Sequence, residues 1–179
     1  DSSAALRQRW QPLIDDMDPS DQFRENLVQQ MRELIAQNDN HPSVGLWGIG
    51  NELRTSGEAA NRLMAALQST AKEMDPTRPT TYAHCCLDDD DSIAQHSDTV
   101  SYNRYFGWYW TEPKDIGPWA DELHARMPNR PIGVSEYGAG ASILHQEDPV
   151  LRRPVADGYW HPEQWQTTFH EVHWREMRQ

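Results

Sequence analysis

From Asp18 onward apolar residues recur at helical spacing, with Phe23, Leu27, Val28, Met31, Leu34 and Ile35 forming one stripe. Asp18 is placed to cap, Pro19 suits the first helical position and Asp21 favours the positive end, so a helix is predicted from there to about Asn38. Ahead of it Leu6, Trp10, Leu13, Ile14 and Met17 are scattered, which predicts a loop with a short helix over residues 1–17. Asn40, His41 and Pro42 then turn the chain into Val44–Arg54, VGLWGIGNELR, where seven uncharged residues, three of them glycine, precede an amide and a carboxylate. This run predicts a buried strand with Leu46 and Trp47 in a sheet core and with Gly48 and Gly50 allowing close backbone approach. Asn51 and Glu52 would then stand at a strand's carboxyl end, where parallel sheets keep their chemistry. The same pair could instead cap the next helix.

A second amphipathic helix is predicted over Gly57–Met74, with Ala60, Leu63, Met64, Leu67 and Ala71 on one face and DPTRP closing it. Thr80–His84 follows as a short strand. The run Asp88–Asp91 reads as a solvated loop, since it lacks the alternating oxygen spacing of a calcium loop. Val100–Tyr109, VSYNRYFGWY, is rich in residues that favour extended structure, and alternation puts Asn103 and Tyr105 on one face, Arg104 and Phe106 on the other. A helix over Asp115–Met127 and a strand over Pro131–Glu136 come next, the strand again ending on a carboxylate. GAGAS then leaves space beside Glu136, and His161 and Pro162 open a last helix with Trp165, Phe169 and Val172 inward; its final residues, HEVHWREMRQ, read as mid-helix.

Strands alternating with helices imply an α/β fold of parallel strands with right-handed crossovers. Four strands in 179 residues, against roughly 250 residues for a complete eight-stranded barrel, predict part of a TIM (β/α)8 barrel unless the sheet is open and doubly wound. No repeat or low-complexity linker divides the chain, so residues 1–179 are expected to belong to one domain, and Asp1 in place of Met suggests a segment of something larger. A net charge of −12, from 28 acidic and 16 basic residues, repels a phosphate backbone and argues against nucleic acid as a partner. No signal peptide or apolar run of membrane-spanning length is present, so no membrane partner is expected. Eight Trp and six Tyr are many for a mean hydropathy of −0.87; aromatic faces stack on sugars and bases but also fill cores. Cys85 and Cys86 are adjacent and alone, which offers neither a disulfide framework nor a metal-type spacing.

Glu52 and Glu136 both end predicted strands, and in a barrel those ends share one rim. Two carboxylates over one pocket are what glycoside hydrolysis needs, one to protonate the leaving oxygen and the other to attack the anomeric carbon or activate water. The segments NHPSVGLWGIGNE, DPTRPTTYA, YNRYFGWY, PIGVSEYGAGAS and HPEQWQTTFHE, in that order, resemble the catalytic barrel of glycoside hydrolase family 2, especially its β-galactosidase branch, from about Asp18 to the end of the chain.

The resemblance implies a retaining exo-glycosidase that cleaves a β-linked glycoside, here a β-galactoside, by double displacement. It makes Glu52 the general acid/base and Glu136 the nucleophile, with Tyr105 beside the nucleophile, Asn51 on the sugar 2-hydroxyl, and Asn103 and Tyr109 lining the pocket. β-Glucuronidase or β-mannosidase of the same family is the alternative, and from another class, a carbohydrate-binding module or incomplete fragment without chemistry. By the resemblance the chain holds the fourth to seventh barrel strands, with the rest of the barrel, sandwich domains and room for a homo-oligomer outside it. Exposed strand edges and apolar faces follow. No cofactor is required by this segment and no metal ligand is assigned; by the resemblance, a magnesium ion in the complete protein would be held partly by residues from the strand before this chain begins. His170, Glu171 and His173 are spaced HExH rather than HExxH, which suits a packed or solvated helix face better than zinc. His84, at a strand end, would touch sugar or support a residue that does.

Overall fold

A computed structural model describes residues 21–179; the short helix expected within residues 1–17, and Asp18 and Pro19, lie outside that span. The chain resolves into two compact units, one ending at Ser101 and one running Tyr102–Gln179. In the first lie α1 (Asp21–Asn38), β1 (Trp47–Asn51), α2 (Glu58–Met74), β2 (Thr80–His84) and the start of β3 (Thr99–Asn103). The second holds the end of β3, α3 (Ile116–Arg126), β4 (Ile132–Glu136) and α4 (Glu163–Met177). Four parallel strands alternate with helices, and strand neighbours follow chain order, β1-β2-β3-β4, the pattern of a partial α/β barrel. Among the described residues no helix is long and apolar enough to cross a membrane.

The core of the first unit is the meeting of α1, α2 and β1. All five apolar positions assigned to one face of α2 are buried, together with Thr70, as expected when a stripe at 3.6-residue spacing faces a sheet. On α1 the buried face is narrower than its pattern: Met31 and Ile35 are buried and Leu27 and Val28 pack beside them, while Phe23 and Leu34 stay exposed. β1 is shorter than Val44–Arg54 suggests. Trp47 and Ile49 alternate inward, but Leu46 lies before the ladder and is 47% exposed.

DPTRP does more than end α2. Asp75 accepts from the Trp47 indole Nε1 at 2.9 Å, from the Thr77 hydroxyl at 2.5 Å and from Arg78 Nη1 at 2.7 Å. Arg78 in turn donates from Nε to the Val44 carbonyl and from Nη2 to the Asp39 carbonyl, both at 2.8 Å, with its guanidinium 5.6 Å from the Trp47 ring centroid. One buried carboxylate thus fastens the chain entering β1 to the turn entering β2. The Thr77 hydroxyl first, then Arg78 and Trp47, hold the Asp75 carboxyl well below the usual carboxylate range. A lowered folded pKa means stability that is whole above about pH 4, the range of an unfolded Asp, and is lost as pH falls toward the folded value. Asp75→Asn is therefore expected to lower the melting temperature of this domain by several degrees at pH 7, with a smaller gap at pH 3, where part of the linkage stability has already gone. An equal gap at both pH values would contradict the assignment.

In the second unit β3 ends six residues earlier than the predicted strand. After Asn103 only the Arg104 N–H continues toward β4, donating to the Glu136 carbonyl at 2.8 Å. The chain then turns tightly, with Trp108 N–H on the Tyr105 carbonyl at 2.9 Å and Gly107 N–H on the Trp110 carbonyl at 2.7 Å. Gly107 adopts φ 83°, and a Cβ there would strike the Pro113 ring, so no other residue closes this turn without strain. Aromatic content alone favoured extension; one glycine and one proline overrode it. On α4 the inward residues are Trp165, Phe169 and His173, at i, i+4 and i+8, with Val172 only half-buried. His173 lies flat on Phe169, centroids 3.9 Å apart, and His170 is edge-on to Tyr137, so the HExH residues serve packing. The helix stops at Met177 rather than continuing through the last residue. Ile143, Leu144, Leu151, Val155 and Tyr159, in the long connection between β4 and α4, stand exposed.

Candidate active site

Glu52 sits one residue beyond β1, where the register pairs Asn51 with Ala83 of β2. Its N–H donates to the Ala83 carbonyl at 2.8 Å while its φ is 54°, a left-handed conformation uncommon outside glycine. The chain is held in that conformation from the next residue: Leu53 N–H donates to the Tyr82 hydroxyl at 2.9 Å, and that hydroxyl faces the Leu53 carbonyl at 3.5 Å. Burial pushes the Tyr82 hydroxyl up to about 12, the Asp91 and Glu52 charges adding to it, so it is a neutral phenol at working pH. Gly50 is closely packed in the same place. A Cβ on it would lie 3.3 Å from Leu53 Cδ1 and 3.4 Å from Met64 Sδ and Tyr82 Cδ2. Gly48, read from the sequence in the same way, has nothing within 4 Å and makes no close approach. The strand presents Asn51 exposed and Glu52 half-buried, and Glu52 does not cap α2, whose N-cap is Gly57.

Two further residues come to Glu52 from the end of β2. Glu52, Cys85 and Cys86 bring one carboxylate oxygen and two sulfurs within 4.8 Å of one another. Read from the sequence as offering no disulfide framework, the two cysteines are bonded to each other. Among the described residues this is the one grouping of three such ligand atoms. Two sulfurs do not fit the all-oxygen shell magnesium takes. Asp88–Asp91 forms a turn whose last member caps a short 3₁₀ helix over Ser92–Gln95, accepting from Ile93 N–H at 2.9 Å. His84 is 1% exposed and meets the Tyr82 ring edge-on, a packing position rather than a surface for sugar.

The second unit builds its own carboxylate site. Glu136 ends β4, and the Tyr105 hydroxyl donates to its Oε2 at 2.5 Å. Tyr105 reaches it from the turn after β3, not from strand alternation with Asn103. Asn103 is 1% exposed, and its Oδ1 accepts from the Ser135 hydroxyl at 2.6 Å, which ties the ends of β3 and β4 together. The Arg104 guanidinium lies over the Tyr102 and Trp119 rings at 5.1 and 5.2 Å. Tyr109 crosses Tyr105 edge-on at 5.1 Å, stacks on Trp110 at 5.9 Å and is 58% exposed. The loop after Glu136 is occupied rather than open at Gly140: a Cβ there would lie 3.0 Å from the Trp108 ring. Trp108, Ala139, Trp165 and Phe169 form one core with Tyr105 packed on it, and Gln166 donates to the Ala139 carbonyl at 2.7 Å. The first turns of α4 therefore hold the loop that carries the chain away from Glu136.

The model of "Glycosyl hydrolases family 2, TIM barrel domain" matches residues 4–163. The chain is 46% identical over 153 residues to a β-glucuronidase of Bacteroides fragilis, covering 86% of this chain and 21% of that protein. It is 34% identical over 128 residues to a β-glucuronidase of Paenibacillus borealis, covering 68% and 21%. Among solved structures, a Bacteroides fragilis protein provisionally assigned as a β-galactosidase superposes with TM-score 0.80 at 35% identity, covering 87% of this chain and 23% of that one. The chain spans about a fifth of the length of the curated relatives it matches.

Proposed function

This chain belongs to glycosyl hydrolase family 2, and on that footing we propose that the complete protein is a retaining exo-β-glucuronidase. The observation that carries the substrate is the 46% identity to the Bacteroides fragilis β-glucuronidase. It favours the glucuronide over the β-galactoside expected from the sequence; in this chain GAGAS and HPEQW serve the packing of α4 against the loop after Glu136, through Ala139, Trp165 and the adjacent Gln166. The similarity to the provisionally assigned β-galactosidase keeps galactoside hydrolysis as the second reading. Nitrophenyl β-glucuronide, β-galactoside, β-galacturonide and β-mannoside offered to the complete protein separate them. The expected result is kcat/KM at least ten-fold higher on the glucuronide; preference for the galactoside would overturn the reading.

In this reading Glu136 attacks the anomeric carbon and becomes esterified, while Glu52 gives its proton to the departing oxygen and then takes one from the water that frees the sugar. Asn51 would hydrogen-bond the 2-hydroxyl and Tyr109 would line the pocket, while Asn103 would act through Ser135 and the strand ends. The remaining barrel strands and the family's sandwich domains would complete the pocket and any homo-oligomer. The Tyr105 hydroxyl fixes the plane of the Glu136 carboxylate, leaving the other oxygen to attack, and must give up its bond to Oε2 or share it as charge leaves that oxygen. Removing one such positioned donor costs about 10²–10³-fold in kcat. Tyr105→Phe is accordingly expected to lower kcat by about 10²-fold with KM changed far less; a loss confined to KM would assign the hydroxyl to sugar binding instead.

A further inference from the structure

The grouping of Glu52 with Cys85 and Cys86 has a simple origin. Parallel pairing sets Asn51 beside Ala83, so chain leaving β2 passes the Glu52 side chain with its next residues, and those are the two cysteines. All three are half-buried, and the two cysteines, with Ser56, Leu87, Asp88 and Asp91, line an open hollow of about 520 Å³. The hollow carries two aspartates, and one hard and two soft donor atoms lie within 4.8 Å of each other beside its cysteines. We propose that, once the Cys85–Cys86 bond is reduced, Glu52, Cys85 and Cys86 form a site for a soft divalent cation of the zinc and cadmium class. Metal–sulfur bonds of about 2.3 Å and metal–oxygen bonds of about 2.0–2.2 Å place two sulfurs and one oxygen on a tetrahedral ion roughly 3.5–3.8 Å apart, inside the 4.8 Å within which these three atoms already lie. Thiolates select such ions over magnesium and calcium.

The chemistry balances with a dithiol as reductant. Two electrons and two protons pass to the disulfide, giving two thiols, while the dithiol closes to its own disulfide; the cation then displaces the two thiol protons. A metal on one carboxylate oxygen lowers the proton affinity of Glu52, so metal binding is expected to slow the step that needs that proton. That last consequence rests on the acid role proposed above, whereas the binding does not.

The test uses the complete protein in two forms, reduced with a dithiol and desalted without oxygen, or oxidised. Each is titrated with Cd²⁺ while the sulfur-to-cadmium charge-transfer absorbance is followed. The reduced protein is expected to show a saturable band that Cys86→Ser removes and EDTA reverses, with at least ten-fold weaker binding in Glu52→Gln. The oxidised native protein should lack the band and serves as a control without any substitution. No difference between reduced and oxidised protein, a band that survives Cys86→Ser, or an unchanged Kd in Glu52→Gln would overturn the site. Hydrolysis followed in parallel separates the two proposals: Cd²⁺ should inhibit the reduced native protein and spare Cys86→Ser. Binding without inhibition would uphold the metal site and sink the acid role of Glu52.

Discussion

Replacing Glu136 by alanine in the complete protein is expected to lower kcat/KM by roughly 10⁴–10⁶-fold, the range seen when an enzyme loses the group that forms its covalent intermediate. The size alone would not separate a nucleophile from a carboxylate that holds the fold, because the Tyr105 hydroxyl loses its partner in the same variant. Product stereochemistry does. With the carboxylate gone, added azide can enter from the vacated side, opposite the leaving group, and the product is a glycosyl azide of inverted configuration. A melting temperature near that of the native protein with azide rescue giving the inverted product is the expected pair of results. Rescue giving the retained product would move the nucleophile elsewhere.

Glu52→Ala should show the opposite pattern. General acid help contributes about 10²–10⁴-fold, and only where the leaving oxygen needs a proton. Alkyl glycosides are therefore expected to lose about 10³-fold in kcat/KM, while dinitrophenyl glycosides, whose leaving group departs unaided, lose little. Breakdown of the glycosyl-enzyme then limits turnover, so KM falls together with kcat on the activated substrate. Azide attacks the intermediate on Glu136 and returns a glycosyl azide of retained configuration. A loss of equal size across all leaving groups would mean that Glu52 holds the sugar or the backbone instead of moving a proton. Its left-handed φ makes the structural alternative concrete, which is why leaving-group dependence, not activity, is the measurement that decides.

The two carboxylates were legible because each ends a short apolar run, and the position of a residue at a strand's end is set by its immediate neighbours. The buried face of α2 was legible for the same kind of reason: a repeat of 3.6 residues follows from local backbone geometry and needs no partner to be seen. DPTRP shows the limit of this. Its proline and aspartate mark the end of a helix in any context, yet the bonds of Asp75 to Trp47, and of Arg78 to Asp39 and Val44, join segments 28 to 39 residues apart.

Sequence by itself determined that this protein alternates strands with helices and delivers Glu52 and Glu136 at strand ends, since periodicity and turn residues act over a few positions. The resemblance also set Tyr105 beside Glu136, but tertiary structure decided how that contact and the other neighbours are made. The Tyr105 hydroxyl reaches Glu136 only because Gly107 and Pro113 fold VSYNRYFGWY into a turn where its composition favours extension. The Tyr82 hydroxyl holds Leu53, and Cys85 and Cys86 meet Glu52, through the register of β1 on β2. Alternation names the face a side chain shares, but register between distant segments names its neighbour, and register is settled by packing of the whole sheet.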